Sequence, residues 1–265
     1  MNRLGTIEVY ERLRAACESA SPFSLTRYGD GEGAFLGFPE YATQGNLNSF
    51  ARLFFGRNVT LPEHEDIKDR LLHALQQSDI VGVHFLREDT PDLDLYTRPA
   101  RIVSEMKAAG LLDAHLCSAN IHRDLQLSGY LDLLLRGRRR LGIISCRPLQ
   151  ALIAEKFEIP DVFQILIPEE VARSKNFSGT SHYPDRFTQI QDEIKIPVPG
   201  TIFLVAGGVL AKIYCAWIKE KGGIAIDIGS IVDGWVGLAT RSYLRIDPSD
   251  STSSLHPAFL LNEKK

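Results

Sequence analysis

A strand–turn–helix–strand pattern near the end of the chain constrains the fold more than any other feature. Residues 201–205 and 224–228 are short apolar runs typical of buried strands, and residues 209–221 between them have helical periodicity. A tight turn at Gly207 and Gly208 joins the first run to the helix. Such a unit places two parallel strands side by side through a right-handed crossover. The pattern predicts an α/β fold: a Rossmann-like, mostly parallel sheet flanked by helices.

The rest of the chain repeats this alternation. Apolar runs typical of strands begin near residues 23, 80, 115, 140 and 162, and helical segments separate them. No internal repeat or clean linker interrupts the series, so we predict a single α/β domain over residues 1–246. Ser, Asp and Thr become frequent from Asp247 onward, which predicts a mobile tail over residues 247–265.

Composition excludes several classes of function. A net charge of −3 argues against a general nucleic-acid-binding protein, which needs a basic surface. No apolar stretch approaches the roughly 20 residues that span a bilayer. The N-terminus lacks a signal-peptide pattern, and the four cysteines are scattered, so we expect free thiols and a cytoplasmic location. The arginine-rich residues 136–140 predict a solvated turn; peripheral contact with anionic lipid is the alternative.

The segment after the first predicted strand combines one cation, two carboxylates and three glycines: Arg27, Gly29, Asp30, Gly31, Glu32 and Gly33. The Asp-x-Glu spacing can place two oxygen ligands around one Mg²⁺ or Mn²⁺. Arg27 can hold a phosphate, and Gly29 and Gly31 let the backbone approach a ligand closely. The segment therefore fits a metal–diphosphate site. A glycine-rich turn with solvated acids fits its composition equally well.

Other polar groups follow predicted strands. Arg147 stands at the start of the helix after the strand at residues 140–145, which is a suitable anion site. The Gly207–Gly208 turn, with Asp227 at the end of the next strand, is a degenerate dinucleotide fingerprint. Ser230 leaves the same strand end, where open α/β sheets bind ligands. These features leave an NAD(P)-dependent oxidoreductase as an alternative enzyme, and a non-catalytic nucleotide- or glycan-binding module as a third reading.

The irregular residues 176–186 are rich in hydrogen-bonding side chains and lack apolar periodicity. Long segments of this kind are often binding loops, and a solvated connector is the alternative.

Three segments together resemble one family. Residues 25–32 resemble the R-F/Y-G-D-G-E motif of the GT-D-fold glycosyltransferases, and residues 203–229 resemble the closing βαβ unit of that family. Residues 118–123 resemble a middle motif whose arginine is Arg123 here. The chain departs from the family pattern at Val209 and Leu210, where a Pro-Thr pair is frequent, and at Ser230, where a histidine is frequent.

The resemblance implies a metal-dependent transfer of a sugar from a nucleotide sugar, a UDP-sugar, to a glycan, glycolipid or glycoprotein acceptor. Asp30 and Glu32 would bind Mn²⁺ or Mg²⁺ bridging the donor's diphosphate. The diphosphate or nucleotide would be held by Arg27, Arg123, Arg147, Gly207 and Gly208. Asp227 would hold ribose or sugar hydroxyls. If the transfer inverts the anomeric centre it needs a general base, and we expect His182, Asp185 or Asp233 in that role.

Overall fold

A computed structural model describes residues 3–84, 98–170 and 181–261 of the chain. The strands in these ranges are β1 Phe23–Tyr28, β2 Ile80–Val83, β3 His115–Ser118, β4 Arg140–Ser145, β5 Asp161–Leu166, β6 Ile202–Ala206 and β7 Ile224–Asp227. They form one sheet in the order β3-β2-β1-β7-β6-β4-β5, and every neighbouring pair is parallel. The predicted α/β class and the Rossmann-like parallel sheet are confirmed.

Helices connect the strands and cover the sheet. They are α1 Thr6–Ser19, α2 Asp30–Gly37, α3 Gln44–Phe55, α4 Leu61–Gln77, α5 Arg98–Ala108, α6 Ile121–Leu127, α7 Tyr130–Leu135, α8 Gln150–Lys156, α9 Phe187–Glu193, α10 Ala211–Glu220 and α11 Ile231–Trp235. No helix in the three described ranges is both long and apolar enough to cross a membrane. The four cysteines carry free thiols, as predicted.

Both faces of the sheet are buried. Successive residues of a strand point to opposite faces. In β6, Phe203 and Val205 belong to one apolar cluster, whereas Ile202 and Leu204 belong to another. A sheet covered on both faces needs apolar residues at every strand position, which explains why the strands read as continuous apolar runs rather than as an alternation.

The glycine-rich segment is not a turn with solvated acids. Asp30 begins α2, and Gly29 caps it, with the Gly29 N–H donating to Glu32 Oε2 at 2.8 Å. Glycine has low helix propensity, but here the missing side chains make room for neighbours. A Cβ on Gly31 would lie 3.0 Å from the Phe54 ring. Close packing against α3 therefore outweighs the propensity of the segment.

The predicted tail and the predicted polar loop differ from expectation. The chain from Asp247 returns to the domain, because Phe259 and Leu261 are each only 2% exposed. A bridge between Arg245 and Leu255 fixes the start of this return.

Within the polar segment, residues 176–180 lie outside the described residues. In the part that follows, His182 and Tyr183 are buried, whereas Pro184 and Asp185 are exposed.

Candidate active site

A cleft of about 390 Å³ lies where β1, β4, β6 and β7 end, at the carboxyl edge of the sheet. Its volume is in the range of ligand sites, roughly 300–1,000 Å³. Twelve of the predicted site residues line it: Arg27, Gly29, Asp30, Gly31, Glu32, Arg147, His182, Gly207, Gly208, Asp227, Ser230 and Asp233. Asp185 and Arg123 do not line this cleft. Parallel strands bring these residues together because all their carboxyl ends meet at one edge.

Arg27 projects from β1 and is held on three sides. Its Nε donates to the Asp227 backbone oxygen at 3.0 Å, and its Nη2 lies 3.1 Å from Asp227 Oδ1. Its Nη1 donates to the Ala119 oxygen at 3.2 Å and contacts His122. Gly229 has φ +50°, and a Cβ there would lie 2.1 Å from Nη2. Only glycine at this position leaves room for the Arg27 guanidinium.

Lys212 lines the cleft but was not predicted from the sequence. It is the second residue of α10, just after the glycine turn, and it is only 5% exposed. Its Nζ lies 2.6 Å from Glu32 Oε1 and 3.1 Å from Asp227 Oδ2, and it donates to the Gly208 oxygen at 3.2 Å. The only signal in the sequence is a lysine at the start of the helix, ahead of the apolar run from Ile213 to Ile218.

Arg27, Asp227, Lys212 and Glu32 thus form a buried network of two cations and two carboxylates. Burial alone would raise the pKa of Asp227, but Arg27 and Lys212 outweigh it and hold the pKa below its ordinary value. Burial would lower the pKa of Lys212, but Asp227 and Glu32 outweigh it and hold the pKa above its ordinary value. Each charge is therefore kept by its partners, as buried charges require.

The two carboxylates predicted to bind a metal are not equivalent. Glu32 Oε2 accepts the Gly29 N–H and Oε1 faces the Lys212 ammonium, so a divalent cation at Glu32 would compete with Lys212. Asp30 is partly exposed, and its Oδ1 accepts the Gly31 N–H at 2.9 Å. Within the described ranges, Asp30 is the only cleft carboxylate that has no ion pair.

No group of three or more His, Cys, Asp or Glu side chains in the described residues could hold a metal ion. Mg²⁺, however, often binds through only one or two carboxylates together with the phosphates of its substrate. Asp30 fits a cation that arrives with a diphosphate. Glu32 could join it only by exchanging its Lys212 partner for the cation. The predicted Mn²⁺ or Mg²⁺ stays a prediction, with Asp30 as its protein ligand.

The three predicted bases occupy different surroundings. His182 Nε2 lies 2.7 Å from the Tyr214 hydroxyl, and burial lowers the His182 pKa to about 3. Asp185 lies outside the cleft and accepts the Ser181 N–H at 3.3 Å. Asp233 lines the cleft, but its Oδ1 is 2.7 Å from Arg147 Nε and its Oδ2 accepts the Thr240 hydroxyl at 2.5 Å. Each of the three side chains already has a partner.

Arg147 organises the opposite wall. Besides Asp233, its guanidinium lies 2.6 Å from Glu169. Burial opposes its charge, but Asp233 and Glu169 outweigh the burial and raise the Arg147 pKa. Arg241 lies 3.3 Å from Glu170 on the same side of the cleft. Arg147 is therefore near the cleft, as predicted, but is already paired.

Ser230 and Arg123 meet through an aromatic residue that the sequence analysis also missed. The Tyr243 hydroxyl lies 2.8 Å from Ser230 Oγ. The Arg123 guanidinium lies 4.7 Å from the centre of the Tyr243 ring, in a smaller pocket next to the cleft. Tyr243 lines both cavities and separates Arg123 from the predicted diphosphate site.

Comparison with known proteins identifies one family. The model of the GT-D fold-like domain matches residues 4–235. No curated protein sequence is significantly similar to the chain.

Three solved structures are similar in fold. The first, described as domain of unknown function 1792, is 16% identical with a TM-score of 0.55, over 86% of this chain and 78% of that one. A second, described as the same domain with a distinct glycosyltransferase fold, is 17% identical with a TM-score of 0.54, over 86% and 78%. A third, described as a new glycosyltransferase from Streptococcus sanguinis, is 16% identical with a TM-score of 0.54, over 91% and 87%.

Proposed function

The chain belongs to the GT-D fold-like domain family, and from this membership and the cleft we propose that it is a glycosyltransferase. It transfers a sugar from a nucleotide-sugar donor, a UDP-sugar, to a glycan acceptor. The observation that carries the proposal is the Arg27–Asp227–Lys212–Glu32 network, which lies at the carboxyl edge beside the start of α2 and the Gly207–Gly208 turn. Two similar structures described as glycosyltransferases or as having that fold support it.

The donor's diphosphate would lie against Arg27 and the backbone at Gly208. Gly208 has φ +59°, and a Cβ there would lie 2.9 Å from the Phe54 ring, so this turn can only be made by glycine. Asp227 and His122 fix the Arg27 guanidinium before any ligand arrives. A charge held in place stabilises a departing diphosphate without reorganisation during the reaction.

A divalent cation, if the donor brings one, would be held by Asp30. It would stabilise the negative charge that develops on the leaving nucleoside diphosphate. Glu32 would not contact the donor directly. It holds Lys212 in place, and Lys212 in turn holds Asp227. If transfer inverts the anomeric centre, His182 and Asp233 are the predicted bases that line the cleft.

The oxidoreductase alternative loses its main support. In a dinucleotide site, an acidic residue at the end of the second strand binds ribose hydroxyls. Here Asp227 is 1% exposed, and both of its oxygens face cations, Arg27 and Lys212. The same burial argues against the predicted role of Asp227 in holding ribose or sugar hydroxyls. The aspartate positions Arg27 instead.

Calorimetric titration of UDP, GDP and NAD tests the proposal, with and without Mn²⁺. We expect UDP to bind, NAD not to bind, and Arg27→Gln to weaken UDP binding by roughly tenfold or more, because a charged hydrogen-bonding group is lost. Arg136→Gln is the control, since Arg136 makes exposed ion pairs with Asp132 and Glu158 far from the cleft lining. Release of UDP from a UDP-sugar then shows turnover.

Two results would contradict the proposal. Binding of NAD, with no nucleoside diphosphate bound, favours the oxidoreductase. UDP binding without turnover of any UDP-sugar, in the presence of glycan acceptors, favours a non-catalytic binding module.

A further inference from the structure

A second pocket of about 370 Å³ adjoins the cleft. Residues from α6 and from the chain after α11 line it, including Arg123, Arg245 and His256. Ser242 and Tyr243 line both cavities, so the pocket is a neighbour of the cleft and not a remote feature. The proposed donor site makes no use of it.

Arg123 enters this pocket without a charged partner. Its guanidinium lies over the Tyr243 ring, and its Nε is buried with no hydrogen-bond partner. No ion pair or side-chain hydrogen bond of Arg123 occurs in the part of the chain that the structure describes. Burial raises the pKa of the nearby Asp124 carboxyl, and the positive charge of Arg123 only partly offsets this rise.

Arg245, on a different segment of the chain, also lines the pocket without an ion pair among the described residues. Its Nε is also buried with no hydrogen-bond partner. Both side chains are partly exposed and line the same cavity. Two arginines without an ion pair among the described residues, in one cavity, point to a ligand that accepts hydrogen bonds and carries negative charge.

The remaining lining agrees with such a ligand. No carboxylate is among the described residues that line the pocket, in a chain whose net charge is −3. Tyr243, Phe259 and His256 form a continuous aromatic wall, with ring centres 5.7 Å and 6.0 Å apart. Aromatic and apolar walls pack against the C–H faces of a sugar, and the arginines bind an anionic substituent.

We infer that this pocket is a subsite for an acceptor sugar that carries an anionic group, a phosphate or a carboxylate. That the bound sugar is the acceptor rests on the proposed glycosyltransferase function, in which the donor occupies the neighbouring cleft. The link between the two cavities is the Tyr243 hydroxyl, which lies 2.8 Å from Ser230 Oγ in the cleft lining. An anionic group held by Arg123 and Arg245 would place the attached sugar beside the donor.

The test is a set of titrations into the intact protein. Inorganic phosphate, glucose 6-phosphate, glucuronate and glucose are the probes. We expect the three anions to bind more tightly than glucose, and Arg245→Gln to weaken their binding by roughly tenfold. Arg245→Lys keeps the charge and should retain part of the affinity. Arg123→Gln repeats the test from the other arginine, and Arg136→Gln is the surface control.

UDP titration separates this inference from the proposed function. We expect UDP affinity to stay within about twofold in Arg245→Gln, because Arg245 does not line the cleft. Anion binding that is equal in the wild type and Arg245→Gln, or is displaced competitively by UDP, overturns the subsite and leaves the donor site standing. Loss of UDP binding with anion binding intact overturns the donor site instead. A preference for glucose 6-phosphate over glucuronate, or the reverse, identifies the anionic substituent.

Discussion

The cleft and the neighbouring pocket differ in whether their cationic side chains have carboxylate partners. Every arginine or lysine that lines the cleft has a carboxylate partner: Arg27 with Asp227, Lys212 with Glu32 and Asp227, Arg147 with Asp233 and Glu169, and Arg241 with Glu170. The two arginines of the pocket have none within the described residues. Ion pairs in the cleft fix the position of groups that meet a ligand. The pocket leaves its charge to be satisfied by the ligand.

This difference has a consequence for stability. Removing one member of a buried ion pair leaves the other charge uncompensated, at a cost of about 3–5 kcal/mol. Removing an arginine that has no ion pair leaves no charge uncompensated, so the cost should be smaller. Substitutions in the two regions should therefore separate stability from binding.

Lys212→Met should give the largest effect. It leaves Glu32 and Asp227 buried without their ammonium partner, so we expect the free energy of unfolding to fall by about 3–5 kcal/mol. Urea denaturation measures it. Lys219→Met is the matched control on the same helix, because Lys219 pairs with Asp79 at a more exposed site and should cost about 1 kcal/mol or less. Equal losses in the two variants would mean that the Lys212 network does not stabilise the fold.

Asp30→Asn and Glu32→Gln sharpen the comparison inside the cleft. Glu32→Gln keeps an acceptor for the Gly29 N–H but removes the charge beside Lys212, so the free energy of unfolding should fall by about 1–3 kcal/mol. Asp30 has no ion pair among the described residues, so Asp30→Asn should change it by no more than about 0.5 kcal/mol.

In metal-dependent UDP binding, Asp30→Asn should lose more than Glu32→Gln, the reverse of their order in stability. Titration of UDP with Mn²⁺ should show roughly a tenfold loss for Asp30→Asn, because a charged ligand is removed. In EDTA, Asp30→Asn should bind UDP as the wild type does. If Glu32→Gln alone abolishes the effect of Mn²⁺ and leaves stability unchanged, then Glu32 is the metal ligand and its pairing with Lys212 is not retained.

The fold was open to prediction because its signals are local. The apolar runs of β4 and β6 are bounded by glycine and polar residues, and the unit from β6 to β7 specifies parallel pairing by itself. The start of α2 was harder, because glycine at every second position argues against a helix. What stabilises that helix is the room Gly31 leaves for Phe54, a contact that only the tertiary structure supplies.

The candidate site was predictable where residues follow strand ends, and not where charges meet across the fold. Arg27 and Asp227 were both predicted to lie in the site, but their pairing depends on β1 and β7 being neighbours in the sheet. Lys212 resembles an ordinary surface position of an amphipathic helix. It is buried because Glu32, far away in sequence, supplies its counter-charge. Arg123 was assigned to the diphosphate by resemblance, whereas Tyr243 holds it in the neighbouring pocket.

Arg245→Gln should have as small an effect on stability as Asp30→Asn, and this result would separate the two regions most clearly. The side chain has no ion pair to lose among the described residues, and its buried Nε has no partner, so we expect the free energy of unfolding to change by no more than about 0.5 kcal/mol. Urea denaturation beside Lys212→Met measures the contrast directly. A loss comparable to that of Lys212→Met would show that Arg245 stabilises the fold through a partner. A small loss combined with weaker anion binding would mean that the charge of Arg245 serves a ligand, because only a group that the fold does not use can be removed without cost.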